Sequence, residues 1–317
     1  MFKEAADKIK KWIYSSRPMH WIQTNSLPGF YGVTIYEVLD FIRKETKQSD
    51  LVARANSMSF SFFLSLFPLL IVLFTLVPYF PIFKNFNQII RTSIQELLPG
   101  NAGDGLFKFI EDLATRPQSN LLSFGSIMVV FFASNGAMAM IQGFEKIYPD
   151  TFEKWNPWHK RLRAVLLTFL LAFILAASVL LIIIGGGLLN WLLNTINIEA
   201  KSFQSFLFHA LRWLTIILLF YTGISVIYRF AVSAKRRFRY FTPGAAMATI
   251  LSLLSSYLFS FYVDNLGNYN KLYGSIGTVI AVMIWIQTNA IILLLGFELN
   301  ASIAINRDKS ILKDTVA

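Results

Sequence analysis

Residues 164–189 read AVLLTFLLAFILAASVLLIIIGGGLL, 26 consecutive positions without a charged side chain. A bilayer core about 30 Å thick is crossed by roughly 20 apolar helical residues, so this block is long enough to span one. Five further blocks of the same kind lie near residues 57–80, 121–144, 206–228, 243–263 and 274–295, and the last pattern runs on to about residue 305. They predict an all-α integral membrane protein, a six-transmembrane-helix bundle occupying residues 57–305 between an N-terminal segment, 1–56, and a tail, 306–317. Composition agrees. Of 317 residues 55% are hydrophobic and 15% charged, with a mean hydropathy of +0.53. A soluble domain carries about 25% charged residues, and with fewer it could not cover its own surface. The absence of Cys excludes a disulfide scaffold and fits any redox compartment.

The net charge of +11 raises a nucleic-acid partner, but the placement of the charges argues against one. Nine Lys and Arg precede the first block, five lie between the second and third (Lys146, Lys154, Lys160, Arg161, Arg163), five follow the fourth (Arg229, Lys235, Arg236, Arg237, Arg239) and three end the chain. The intervening segments hold four, one (Lys201) and one (Lys271), and Arg212 lies within the fourth block. Basic residues mark cytoplasmic loops, so both termini are expected in the cytoplasm, with anionic lipids at that face as partners.

The flanking segments are amphipathic. Phe2, Ala5, Ala6, Ile9, Trp12 and Ile13 recur at helical spacing, and Ile35, Val38, Leu39 and Ile42 form a second stripe. Two readings are open: helices lying in the headgroup layer, or helices packed on the bundle. Between the first two blocks, Phe86, Ile89, Ile90, Ile94 and Leu97 precede Pro99-Gly100, and Leu106, Phe107, Phe109, Ile110 and Leu113 precede Pro117. This pattern predicts an extracytoplasmic helical hairpin.

Several stretches carry a family resemblance. They are Arg54-Ala55-Asn56-Ser57-Met58-Ser59-Phe60-Ser61 with Leu64-Ser65-Leu66-Phe67-Pro68, then Tyr228-Arg229-Phe230, and Pro243-Gly244-Ala245. The strongest is Tyr269-Asn270-Lys271-Leu272-Tyr273-Gly274-Ser275-Ile276-Gly277, followed by Trp285 and by Leu295-Gly296-Phe297-Glu298-Leu299-Asn300-Ala301. In order and spacing, from about residue 33 to 305, the chain resembles the YihY/BrkB family of bacterial inner-membrane proteins. Asn135-Gly136 departs from the Ser- and Ala-rich sequence expected there. The resemblance implies six spans in a bacterial inner membrane, and marks Tyr269, Asn270, Tyr273, Gly274, Gly277 and Asn300 as family-like positions. It implies no settled activity: members carry labels of virulence factor, lipid or solute exporter and, through an old and mistaken label, ribonuclease BN.

Glu298 is the acidic residue inside the long sixth apolar pattern. A carboxylate at membrane depth is costly unless paired. Arg54 and Arg229 are expected at similar depth, so Glu298 reads either as a gate or as one half of a structural ion pair with one of them. Ser57, Ser61 and Ser65 sit at i, i+4 and i+8 on the first block, ahead of Pro68. With Asn135, Gln142 and Asn289 they are candidates for a polar path, against the alternative of interhelical hydrogen bonding. Gly185-Gly186-Gly187 reads as a hinge or as a packing site, and Asn270 or Ser275 as the cap of the sixth helix. His20, His159 and His209 are scattered, and no metal-ligand spacing, GxGxxG, P-loop or GxSxG is present. No catalytic, cofactor or metal site is therefore expected. The leading function is transport or export of a small solute or lipid-related molecule. The rival is a non-transporting scaffold of the envelope, and a membrane-bound nuclease is a remote third.

Overall fold

The computed structural model describes residues 17–48, 51–76, 126–195, 201–264 and 267–316. They form α1 (Arg17–Thr24), α2 (Ile35–Gln48), α3 (Leu51–Leu76), α4 (Ser126–Ala133), α5 (Asn135–Gly143), α6 (Pro157–Thr195), α7 (Lys201–Ala231), α8 (Pro243–Asp264) and α9 (Gly267–Val316). The described residues contain no strand, only an isolated antiparallel bridge between Phe152 and Ala234. The stripe from Phe2 to Ile13 and the hairpin of the first loop lie outside the described residues, as do the side chains of Arg212 and Asp264.

Local chemistry fixes where several helices begin. Thr34 and Glu37 satisfy each other in a capping box: the Glu37 carboxylate accepts from the Thr34 N–H at 3.1 Å, and Thr34 Oγ1 accepts from the Glu37 N–H at 3.3 Å. Asn156 Oδ1 accepts from the His159 N–H at 2.8 Å, and Thr242 Oγ1 from the Ala245 N–H at 3.2 Å. Each of these two caps is followed by a proline, which at the first helical position forfeits no hydrogen bond.

Among the described residues, Pro157–Ser178, Trp213–Ala231, Pro243–Tyr262 and Val279–Ser310 are long and apolar enough to cross a membrane. Only 11% of the Pro157–Ser178 window is buried, and Phe173 remains 73% exposed. Apolar surface on that scale needs lipid, not water, against it.

Two expectations change, at the second block and at residues 269–277. The second block is not one helix: Ser134 separates α4 from α5, with φ −77° and ψ −2°. Residues 269–277, expected as an outer loop with a helix cap, already belong to α9, which begins at Gly267; neither Asn270 nor Ser275 is a cap. The apolar pattern had set that boundary, but a polar helical turn continues an apolar one wherever no proline or capping residue stops it. For the same reason the helix continues past the apolar pattern, and residues 306–316 are the end of α9, which runs unbroken to Val316. Gly185, Gly186 and Gly187 do not interrupt α6.

The helices close a ring. α9 packs on α3, α3 on α4 and α5, α5 on α6, α6 on α7, α7 on α8, and α8 back on α9. Inside it Phe144, Phe297, Tyr228, Leu167 and Leu294 are fully buried. At one end the connecting segments interlock: the Glu153 N–H donates to the Ser233 carbonyl at 2.7 Å, and the Lys235 N–H to the Thr151 carbonyl at 3.0 Å. Asp308 of α9 joins them, accepting from Thr151 Oγ1 at 3.0 Å. The stripe on α2 packs on the bundle, with Val38 buried against Phe30, Val33, Leu299 and Ile303 while Leu39 stays exposed.

Candidate functional site

Glu298 is completely buried in the second half of α9, on the side of the bundle where the connecting segments gather. Two cations face it. Arg54 Nη1, from the first turns of α3, stands 3.0 Å from Oε1, and Lys146 Nζ, just beyond α5, stands 2.8 Å from Oε2. The Lys146 side chain is 3% exposed and that of Arg54 21%. Oε2 receives no well-directed hydrogen bond, so what it meets is the ammonium charge itself. Arg54 also turns Nε to the Gly143 carbonyl at 2.8 Å, with Nη2 on the same oxygen. That carbonyl belongs to the last turn of α5, where partial negative charge collects and a guanidinium is well placed. One carboxylate thus ties α3, α5 and α9 together, with two cations facing it.

Aromatic rings close over it. Phe144 lies 4.9 Å from Phe297 and 5.8 Å from Tyr228, centroid to centroid. Desolvated, each charge would be expensive alone, and the cluster persists because its members satisfy one another.

Arg229 does not take part. Its Nη1 donates to the Phe238 carbonyl at 2.8 Å and its guanidinium lies 4.4 Å from the centre of the Tyr240 ring. Equal depth in the sequence placed it beside Glu298, but it stands on α7 and turns toward the α7–α8 connection.

The residues read as a polar path are dispersed. Ser57 is exposed, Ser61 half-buried and Ser65 buried, because positions four apart drift around a helix. Ser65 Oγ donates to the Phe62 carbonyl at 2.7 Å, and a Cβ at Gly136 would come within 2.7 Å of it, so this serine lies on the α3–α5 contact. Asn135 Oδ1 accepts from Arg161 Nη1 at 2.9 Å. Asn289 Nδ2 donates to the Trp285 carbonyl of its own helix at 2.9 Å, and Gln142 is exposed. Gln287 Nε2 meets Asn56 Oδ1 at 2.7 Å.

Two further arrangements surround the cluster. At the joint between α4 and α5, Arg161 of α6 donates to Asn135 and, at 2.6 Å, to the Phe131 carbonyl, which also accepts from Ser134 Oγ at 2.8 Å. On the other side α8 crosses α9 at Gly244 and Gly296. A Cβ on Gly244 would fall on the Gly296 carbonyl oxygen, and one on Gly296 would lie 2.7 Å from the Gly244 carbonyl oxygen. Beside the crossing, Asn300 Oδ1 accepts from the Gly244 N–H at 2.9 Å and Nδ2 donates to Thr242 Oγ1 at 3.1 Å. Two of the family-like stretches therefore meet in space.

Lys146 and Arg161 were legible only as loop charges. The available signal was their distance from the apolar blocks: each lies within a few residues of one, where a long side chain reaches back into the bundle.

The sequence profile of the family described as Virulence factor BrkB matches residues 42–316. The chain belongs to that family. A ribonuclease-like protein of Bacillus subtilis, YfkH, is 31% identical over 249 residues, 78% of this chain and 88% of that protein. The UPF0761 membrane protein MS0032 of Mannheimia succiniciproducens is 24% identical over 80% of this chain and 85% of its own. A UPF0761 membrane protein of Psychromonas ingrahamii is 24% identical, with 84% and 88% covered. No solved structure matches. This member of the BrkB family is a membrane protein, as the names of those relatives and its own apolar helices agree.

Proposed function

We propose that the protein is a transporter or exporter of a small solute or lipid-related molecule. In this reading six helices span a bacterial inner membrane with both termini in the cytoplasm. The chain is no enzyme, and the Glu298 cluster is the lock on the path. The observation that supports it is the buried carboxylate held by Arg54 and Lys146 from two other parts of the ring. A burden of three desolvated charges contributes little net stability over apolar packing of the same volume. Its value lies in having two states, closed with the charges paired and open with them hydrated. The joint at Ser134 and the proline inside α3, Pro68, which removes a backbone hydrogen bond, supply places on the same helices where the ring can give.

The test uses the absence of native Cys. Ser65→Cys, on the α3–α5 contact, is reacted with a water-soluble thiol reagent in detergent-purified protein, with and without a panel of osmolytes, polyamines, organic anions and lipids. The same panel is screened by thermal stability, where a ligand at one hundred times its dissociation constant adds about 2.7 kcal/mol. We expect one class to give a saturable shift, to expose residue 65 and to be carried across liposome membranes. A residue 65 unreactive under every condition, with no selective shift, overturns the reading.

A further inference from the structure

A cleft of about 630 Å³, lined by Gly29, Tyr31, Arg229, Arg239, Tyr240 and Phe241, opens at the same end of the molecule as the connecting segments. Its volume lies in the range of small-molecule sites. One wall is the turn at residues 29–32, where Gly29, Tyr31 and Gly32 have φ of 90°, 53° and 85°. A left-handed tyrosine is uncommon and holds only where its surroundings fix it. Here they do: Phe30 and Val33 on either side are buried in the bundle, and Gly29 packs against Pro243, where a Cβ would approach to 2.9 Å. The turn therefore presents the Tyr31 ring outward, with the Arg239 and Arg307 guanidinium carbons 5.8 Å and 5.6 Å from its centre.

The opposite wall is cationic. Arg229 is oriented by the Phe238 carbonyl and the Tyr240 ring, and Arg239 by the Tyr31 ring. Among the described residues neither stands within ion-pair distance of a carboxylate, unlike Arg54 with Glu298 or Arg307 with Asp308. Lys235, Arg236 and Arg237 add to the field, and residues 229–242 hold no acidic side chain. Guanidinium groups held by rings and a carbonyl keep most of their N–H donors for a planar or tetrahedral oxyanion. Apolar contact is available beside them, because Phe241 is 84% exposed and is stacked on Tyr221 at 5.7 Å.

We propose that this cleft binds a phosphate-bearing anion between Arg229 and Arg239, with Tyr31 and Tyr240 as its aromatic walls. The phosphate comes from a lipid headgroup or from a soluble organic phosphate. The site is independent of whether the protein transports.

The experiment measures binding to the detergent-purified full chain by native mass spectrometry and by thermal shift. The probes are short-chain phosphatidylglycerol, diacylglycerol of the same chain length, and glycerol 3-phosphate. Each is tried on wild type, Arg239→Gln and Arg236→Gln. Arg239→Gln removes an exposed side chain and leaves the fold intact, whereas Arg229 also holds a backbone carbonyl. We expect saturable binding of phosphatidylglycerol but not diacylglycerol, weakened about tenfold or more by Arg239→Gln and little changed by Arg236→Gln. Glycerol 3-phosphate that binds and competes identifies a soluble phosphate as sufficient; failure to compete assigns the site to lipid. Binding that is unsaturable, or equally weakened by both substitutions, is diffuse attraction to a basic surface and overturns the proposal.

Discussion

Glu298 faces two cations, Arg54 and Lys146, and this arrangement decides how substitutions there behave. Glu298→Gln leaves Arg54 and Lys146 facing each other in a dry site, and is expected to destabilise the protein by about 3–5 kcal/mol, the range for breaking one side of a buried pair. Lys146→Met leaves the Arg54–Glu298 pair in place, so it is expected to be milder. The double variant Glu298→Gln with Lys146→Met should lose less than the sum of the two single effects, since the residues share one network. Thermal denaturation of the purified variants reads all three, and strict additivity would remove Lys146 from the cluster. How visible these residues were in the sequence follows from the same physics. Glu298 stood out because a carboxylate inside an apolar pattern must be paired or functional. Lys146 did not, because a lysine outside a span is what any cytoplasmic loop contains. The same ambiguity sent Arg229 to the wrong partner: hydropathy gives depth and says nothing of which helix faces which.

Among the elements, the α8–α9 crossing and the α4–α5 joint make opposite demands. At the crossing there is no room. Gly244→Ala drives a methyl group into the Gly296 carbonyl, backbone that cannot step aside, and is expected to prevent α8 and α9 from packing. Gly223→Ala on α7 is the contrasting case, since nothing lies within 4 Å of its Cβ. There alanine relieves the entropy of glycine, and stability should rise by about 0.5–1 kcal/mol. Expression level and thermal midpoint of the two variants, measured side by side, check this, and equal losses would contradict the close approach. At the joint, Arg161 supplies donors to an interrupted stretch of backbone. Arg161→Met should cost about 0.5–1.5 kcal/mol, the net worth of the hydrogen bonds lost at a part-exposed site where Ser134 still serves the Phe131 carbonyl. The joint was invisible beforehand because Ser134-Asn135-Gly136 sits within an apolar block, and hydropathy averages over three small residues. The starts of α6 and α8 had plain signals in Asn156-Pro157 and Thr242-Pro243; the block boundaries used one and passed over the other.

At the scale of the molecule, the connecting segments at residues 144–156 and 232–242 and the turn at 25–34 share one end, joined by backbone hydrogen bonds and by contacts to α8 and α9. Leu27→Cys, Asp150→Cys and Arg236→Cys, each at an exposed position, are therefore expected to react together from the cytoplasmic side and to be protected together in intact cells. Any one of them labelled from outside would break the proposed topology. The charge distribution along the chain already pointed to this grouping, whereas the ring order, with α9 beside α3 at the far end of the sequence, had no local signature. The glycine crossing has a last consequence. With backbone pressed on backbone, α8 and α9 can neither slide nor rotate past each other without collision, so they act as the stator of the assembly. At the α3–α5 contact a serine and a flexible methionine side chain meet glycines instead, so in the transport reading proposed above the movement is expected there.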